Sequence, residues 1–311
     1  MNKIEELIKL RIEEKIVKIT PLQSGSDNQN WLLSTENGIK KYVLQRSNLQ
    51  LDYIDSIDNL LSYLKDNNIP VYRLNSYWTE QQYTWIIKDY IEGRVLNKNS
   101  MSDMKQSLDV LKRLHSIRLP MCNNLFFSSV HDPLHWLVNP NKELMNFIAE
   151  ARNTETAIKL MRYVKECLKM MSVEDYLNLP KAIIHGDFHG GNIIFQENKL
   201  KAIIDYDTVE ISARITDMIY AWFSMCRAKK DRYKIDLINS NKFIEEFLIN
   251  NAVTEKERQL CTYILILRLI PRGEYIKRLR GTQPERIDDY LEWVLSGIKG
   301  CSIFLKRNIL F

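Results

Sequence analysis

Glycine and proline are scarce in this chain of 311 residues, which holds ten of the first and eight of the second. That scarcity excludes collagen-like repeats and long disordered linkers, so the chain is expected to fold throughout. Cysteine is sparse as well. The five, at 122, 167, 226, 261 and 301, form no Cys-x-x-Cys pair, and an odd number cannot all pair within one chain. Free thiols in a reducing compartment are the consequence. No apolar run is long enough to cross a bilayer; "YILILRLI" near the C-terminus is short and cut by Arg268. The opening segment, "MNKIEELIKLRIEEKIVKI", is charged and helix-periodic, unlike a secretory signal. A cytoplasmic protein with no membrane partner is expected. Neither sign of charge dominates: 44 basic and 39 acidic residues leave a net +5. So mild an excess does not imply nucleic acid as a partner. The densest basic stretches, "RAKKDRYK" (227–234) and "PRGEYIKRLRG" (271–281), read as solvated helix faces or loops.

The remainder is ordinary globular composition, 45% hydrophobic and 27% charged, and long enough for two lobes. Residues 3–18 place Ile4, Leu7, Ile8, Ile12 and Ile16 near helical spacing. "WLLSTENGIKKYVLQR" (31–46) then reads as a hairpin turning at Glu36-Asn37-Gly38. A helix with Ile54, Ile57, Leu60, Leu61 and Leu64 on one face ends near Asn67-Asn68, before Pro70. "YRLNSYW" and "YTWIIKDYI" are two more strands. From Ser102, a candidate N-cap, the pattern turns helical; 118–140 is loop-like, and helical spacing returns at 142–172 and over most of 214–311. Strands therefore cluster early and helices late. The fold class is α+β, with a sheet-rich N-lobe over 1–93 and a larger, mostly helical C-lobe over 94–311.

The chemistry concentrates in "AIIHGDFHGGNIIF" (182–195), where two His, an Asp, three Gly and an Asn stand between apolar runs. One reading is a metal site for a phosphohydrolase. His185, Asp187 and His189 alternate and would share one face of an extended strand, with His131, Asp132 and His135 as further ligands. That leaves the following residues unexplained. "NIIFQENKLKAIIDYD" reads as strand, turn, strand, and a short hairpin brings its open ends, Asn192 and Asp205, close together. With Asp187 they form an oxygen-rich set suited to Mg²⁺. Kinases use the same order: a catalytic-loop Asp, an Asn five residues on that binds metal, and a second metal-binding Asp beyond a hairpin.

"HGDFHGGNIIF" followed by "AIIDYD" resembles the aminoglycoside phosphotransferase and choline kinase-like family, whose loop typically runs His-Gly-Asp-Leu-His-Pro-Gly-Asn. The resemblance implies a protein-kinase-like bilobal fold, ATP or GTP as donor, Mg²⁺, and a small-molecule hydroxyl as acceptor. It makes Asp187 the base, Asn192 and Asp205 the Mg²⁺ ligands, and His185 and Asp217 structural supports. Gly190 stands where the family usually has Pro. In the N-lobe, "LQSGSDNQNWLL" (22–33) resembles the nucleotide loop, with Ser24, Gly25, Ser26 and Asn28 approaching phosphate. "WIIKDYIEG" resembles the hinge, whose backbone at Asp89, Tyr90 and Ile91 would pair with adenine.

The phosphate-binding cation departs from the family: its strand often reads Val-Leu-Lys or Val-Leu-Arg, and here it is Val43-Leu44-Gln45-Arg46. Arg46 faces away from Gln45, and Lys41 shares its face about 13 Å off; these two are the candidates. Asp55 and Asp58 stand near the place of the cation's acidic partner. "Leu-Gln-Arg-x-Asn" and "IDYDTV" also resemble relatives that phosphorylate N-acetylhexosamines. A kinase-like protein that only binds is the non-enzymatic alternative, against which the intact Asp187, Asn192 and Asp205 argue. His115, Tyr220, Trp222 and Phe223 read as helix or core residues. The acceptor, an amino sugar, aminoglycoside, choline or homoserine-like molecule, would be read by 215–311, whose basic balance leans away from aminoglycosides.

Overall fold

The computed structural model describes residues 2–22, 29–38, 40–118, 132–152, 154–228, 234–249 and 251–305, with side chains between Glu5 and Cys301. The chain divides into two compact units, Met1–Arg94 with Ile194–Ile204, and Val95–Ile193 with Asp205–Phe311. The hairpin that follows Asn192 thus belongs with the N-terminal residues.

In the first unit, helix α1 (Asn2–Lys9) precedes strands β1 (Ile16–Leu22), β2 (Gln29–Thr35) and β3 (Lys41–Ser47), helix α2 (Leu51–Asp66), and strands β4 (Leu74–Glu80) and β5 (Tyr83–Asp89). The helix expected over 3–18 therefore stops at Lys9. Ile16 satisfied a helical period, but with Val17, Ile19 and Thr20 it belongs to a β-branched run in the strand that pairs with β2. The five strands form an antiparallel sheet in the order β1-β2-β3-β5-β4. One face buries Leu33, Leu44 and Ile87 beneath Ile8 and Ile12, with Trp31, Trp85 and Trp78 stacked across three strands. The opposite face carries Gln45, Ile86 and Tyr77 in register. Tyr77 reaches Asp58 of α2 at 3.5 Å, which puts α2 on that face. α2 ends as expected: Asn67 is the C-cap and Asn68 takes φ +60. The hairpin strands Ile193–Gln196 and Lys199–Ile203 join a small sheet. Ile203 N–H donates to Pro70 O at 2.8 Å, and a Cβ at Gly93 would lie 2.3 Å from Phe195 O.

The second unit is mostly helical. Helix α3 (Met101–Ser116) is capped by Ser100, whose hydroxyl accepts from Asp103 N–H, rather than by Ser102. The expected 142–172 helix is two, Pro140–Glu150 and Glu155–Met170, broken where Thr154 caps the second. Part of the expected loop 118–140 is also a helix, Leu134–Val138; its residues 119–131 lie outside the described ones. Helices Arg214–Met225, Glu255–Leu269 and Ile287–Leu305 bury Ile219, Trp222, Ile264, Leu265 and Ile298, and α3 buries Leu108 and Leu111. Between helices, Lys181–Ile184 pairs antiparallel with Glu210–Ala213, the latter a strand that the sequence pattern does not announce. No helix among the described residues is long and apolar enough to cross a membrane.

Candidate active site

Strand Lys181–Ile184 is apolar because it is buried, and the chain leaves it at His185 into the loop that carries Asp187. Asp217 anchors that exit. It stands in the first turn of helix Arg214–Met225, 1% exposed. Its two carboxylate oxygens accept the backbone N–H of His185 at 2.6 Å and of Gly186 at 2.9 Å. His115 Nε2 lies 3.3 Å from the same carboxylate. Burial alone would raise the Asp217 pKa, but the His115 and His185 interactions outweigh it and hold the group below its ordinary value. Gly186 takes φ +77, and a Cβ there would lie 2.1 Å from Thr208 O, so the turn admits no side chain.

His185 is fully buried; its Nδ1 accepts the Asp187 N–H at 3.2 Å, and its ring packs 4.6 Å from that of Tyr206. Asp187 itself is about one-third exposed, with His189 Nε2 3.4 Å from its carboxylate. Asn192 closes the loop: its side-chain nitrogen donates to Asp187 O at 3.0 Å and approaches the Asp187 carboxylate at 3.4 Å. That commits the nitrogen end of the amide and leaves its oxygen as the donor for a cation. The Tyr220 hydroxyl also donates to Asp187, and the Arg268 guanidinium lies 4.8 Å over the Tyr220 ring. Burial would raise the Asp187 pKa, yet His189, then Arg268 and His185, hold the carboxyl well below the usual range. The result is a reachable carboxylate that stays ionised.

This arrangement overturns the metal-hydrolase reading. Residues 185–189 are a loop, not a strand, and His185 is spent on bracing. Among the described residues no three His, Cys, Asp or Glu side chains cluster to hold a metal. Asp132 precedes the short helix and is spent there, accepting from Leu134 N–H at 2.8 Å and Tyr176 Oη at 3.0 Å. A pair such as Asn192 and Asp205 still fits Mg²⁺, which is bound by one or two protein oxygens alongside phosphate. Asp205 sits at the far end of the hairpin, half-buried, with φ +70.

In the first unit, Ser24, Gly25, Ser26 and Asn28 lie outside the described residues. Arg46 is on the α1 side of the sheet, its guanidinium 4.3 Å over the Tyr83 ring. Lys41 is 3.3 Å from Glu92. The side-chain oxygen of Gln45 accepts from a third cation, Lys88 Nζ, one strand over. No local motif marks Lys88. Val43 opposes it in the sheet, so Gln45 is its diagonal neighbour on the same face. In the segment expected to be the hinge, Asp89 N–H donates to Arg73 O at 3.0 Å and Tyr90 N–H to Lys41 O at 3.1 Å, so both are spent within the unit. Tyr220 and Arg268 also escape sequence reasoning as site residues, the first because its helix spacing reads as core.

An α+β chain with this sheet, this hairpin and an ionised Asp on a braced loop has the construction of a protein-kinase-like phosphotransferase. A model of the phosphotransferase enzyme family matches residues 18–248, and the chain belongs to that family. It is similar to homoserine kinase of Zymomonas mobilis subsp. mobilis, 21% identical over 82% of this chain and 78% of that one. It is also similar to the aminoglycoside 3'-phosphotransferase of Salmonella typhimurium, 32% identical over 51% of this chain and 61% of that protein. In fold it matches a spectinomycin phosphotransferase solved with ADP and spectinomycin, with TM-score 0.64 and 15% identity over 96% of this chain and 93% of that one. The protein is a small-molecule phosphotransferase.

Proposed function

We propose that the protein transfers the γ-phosphoryl group of ATP to a hydroxyl of a small molecule, with Asp187 as the base. The observation that carries this reading is the braced, ionised and reachable Asp187 carboxylate. The transition state of phosphoryl transfer is loose, so positioning and charge stabilisation outweigh basicity. A carboxylate held ionised suits that role. It orients the alcohol O–H and takes the proton as the bond to phosphorus forms. Tyr220 and His189 fix the direction of its lone pairs. Asp217 holds the loop entrance, and His185 sets the path to Asp187.

Asn192 through its amide oxygen and Asp205 through its carboxylate would hold Mg²⁺, which supplies charge neutralisation on the phosphates. In the first unit, Lys88 takes the role of the missing β3 lysine, with Gln45 as its support. With Asp89 and Tyr90 N–H spent, Ile91 is the hinge residue left to donate to an adenine edge. ADP in the spectinomycin phosphotransferase supports an adenine nucleotide as donor. Asp187→Asn is the test. It should lower kcat by on the order of a thousandfold or more, while nucleotide affinity and melting temperature stay close to those of the parent. Undiminished turnover in that variant would remove Asp187 from the mechanism.

A further inference from the structure

Beside the catalytic loop, the second unit contains a cavity of about 280 Å³. Its wall includes residues 189–191 of the loop, Tyr220, Lys98 and Arg227. Two of these also touch Asp187: the Tyr220 hydroxyl donates to it, and His189 is 3.4 Å away. The cavity therefore begins where the acceptor hydroxyl must lie. Among the described residues lining it none is acidic, and two are cations.

Those two cations are held together at a cost. Lys98 is partly buried, and its ammonium is pushed below the ordinary lysine value first by burial and then by the charge of Arg227. It rests on a carbonyl rather than a carboxylate: Nζ donates to Ser224 O at 2.7 Å, at the end of helix Arg214–Met225. A helix end favours a cation, but one carbonyl occupies one of three ammonium protons. Arg227 is oriented by two aromatic faces, lying 4.8 Å over Phe223 and 5.2 Å over Trp293. Both cationic heads are thus fixed at one wall of the cavity, where an anion would meet them with charge-assisted hydrogen bonds.

We infer that the acceptor carries an anionic group, carboxylate or phosphate, which Lys98 and Arg227 bind while its hydroxyl meets Asp187. This rests on the phosphotransferase reading and names the substrate class for it. The same pair repels a cationic acceptor, so aminoglycosides, which carry several charges, and choline, which carries one, are disfavoured in this cavity.

The test uses the full chain with Mg-ATP and four groups of hydroxyl acceptors. Homoserine and glycerate carry a carboxylate, glycerol 3-phosphate and a hexosamine 6-phosphate carry a phosphate, N-acetylglucosamine and glycerol are neutral, and kanamycin and choline are cationic. Turnover is expected with one anionic group only, and which one identifies the anion. Lys98→Gln and Arg227→Gln should each raise the acceptor KM roughly 10- to 100-fold, more than they lower kcat, the loss expected for one charge-assisted hydrogen bond. Preference for a neutral or cationic acceptor, or unchanged KM in both variants, overturns the inference. Calorimetric titration with inorganic phosphate and with malonate reads the anion site without turnover. Binding by the parent that is lost in the folded Lys98→Gln/Arg227→Gln double variant upholds the site even if no acceptor reacts, in which case the phosphotransferase reading fails alone. Absence of binding by the parent together with absence of anionic turnover removes the site.

Discussion

Replacing Asp217 by Asn keeps the shape of the side chain and removes its charge and one acceptor. In the parent, two backbone N–H groups point at the two carboxylate oxygens, at 2.6 and 2.9 Å, inside a site 1% exposed. The variant offers one of them an oxygen and turns an NH₂ group toward the other. A hydrogen bond to a charged group contributes roughly 1.5–3 kcal/mol, and a buried donor left facing a donor costs about 1–3 kcal/mol more. The expected loss is about 3–5 kcal/mol, or roughly 10 °C in Tm for a protein of this size. The pH dependence has a definite sign. Burial works against the charge, but His115 and His185 win, so the folded pKa is depressed. The stabilisation is then present above the unfolded value of about 3.9 and lost as pH falls through the folded pKa. Urea denaturation of parent and variant at pH 7 and in steps down to pH 3 should show a gap that is full at neutrality and shrinks in acid. A gap below about 1 kcal/mol at pH 7 would falsify the bracing role.

Three further outcomes follow from the same geometry. Gly186→Ala forces a side chain into a left-handed turn and against Thr208 O; it should cost about 3 kcal/mol or more and lower kcat, read by melting and steady-state rates. His189→Gln removes the larger of the interactions that depress the Asp187 pKa, so the acid limb of kcat/KM should move to higher pH; superimposable pH profiles would remove His189 from that role. Lys88→Met should weaken nucleotide binding by on the order of 10- to 100-fold in a fluorescence titration. Arg46→Met should not, because Arg46 stacks on Tyr83 at the other face.

The loop proposed as catalytic was legible because its contacts are local. Asn192 meets Asp187 five residues away, and His185 meets the Asp187 N–H two residues away, so one short string contains them. The hairpin signals and the buried face of α2 were legible for the same reason: period and turn residues are properties of neighbours. Where two periods overlap, local pattern fails. Ile12 and Ile16 fit the helix that Ile4 and Ile8 begin, but the pairing of β1 with β2 decides for strand from Ile16 onward.

The sequence by itself determined the class of chemistry, through the His-Gly-Asp loop, the Asn five positions on and the Asp beyond a hairpin. Tertiary structure alone decided which groups far apart in the sequence meet within each unit. Lys88 reaches Gln45 across 43 residues by sheet register, and Lys98 reaches the Ser224 carbonyl across 126. Arg227 read as part of a solvated basic stretch, and only the fold sets it in a cavity with Lys98. Charges so far apart in the chain carry no shared pattern; what joins them is the packing of the elements that bear them, and the ligand they imply becomes visible only there.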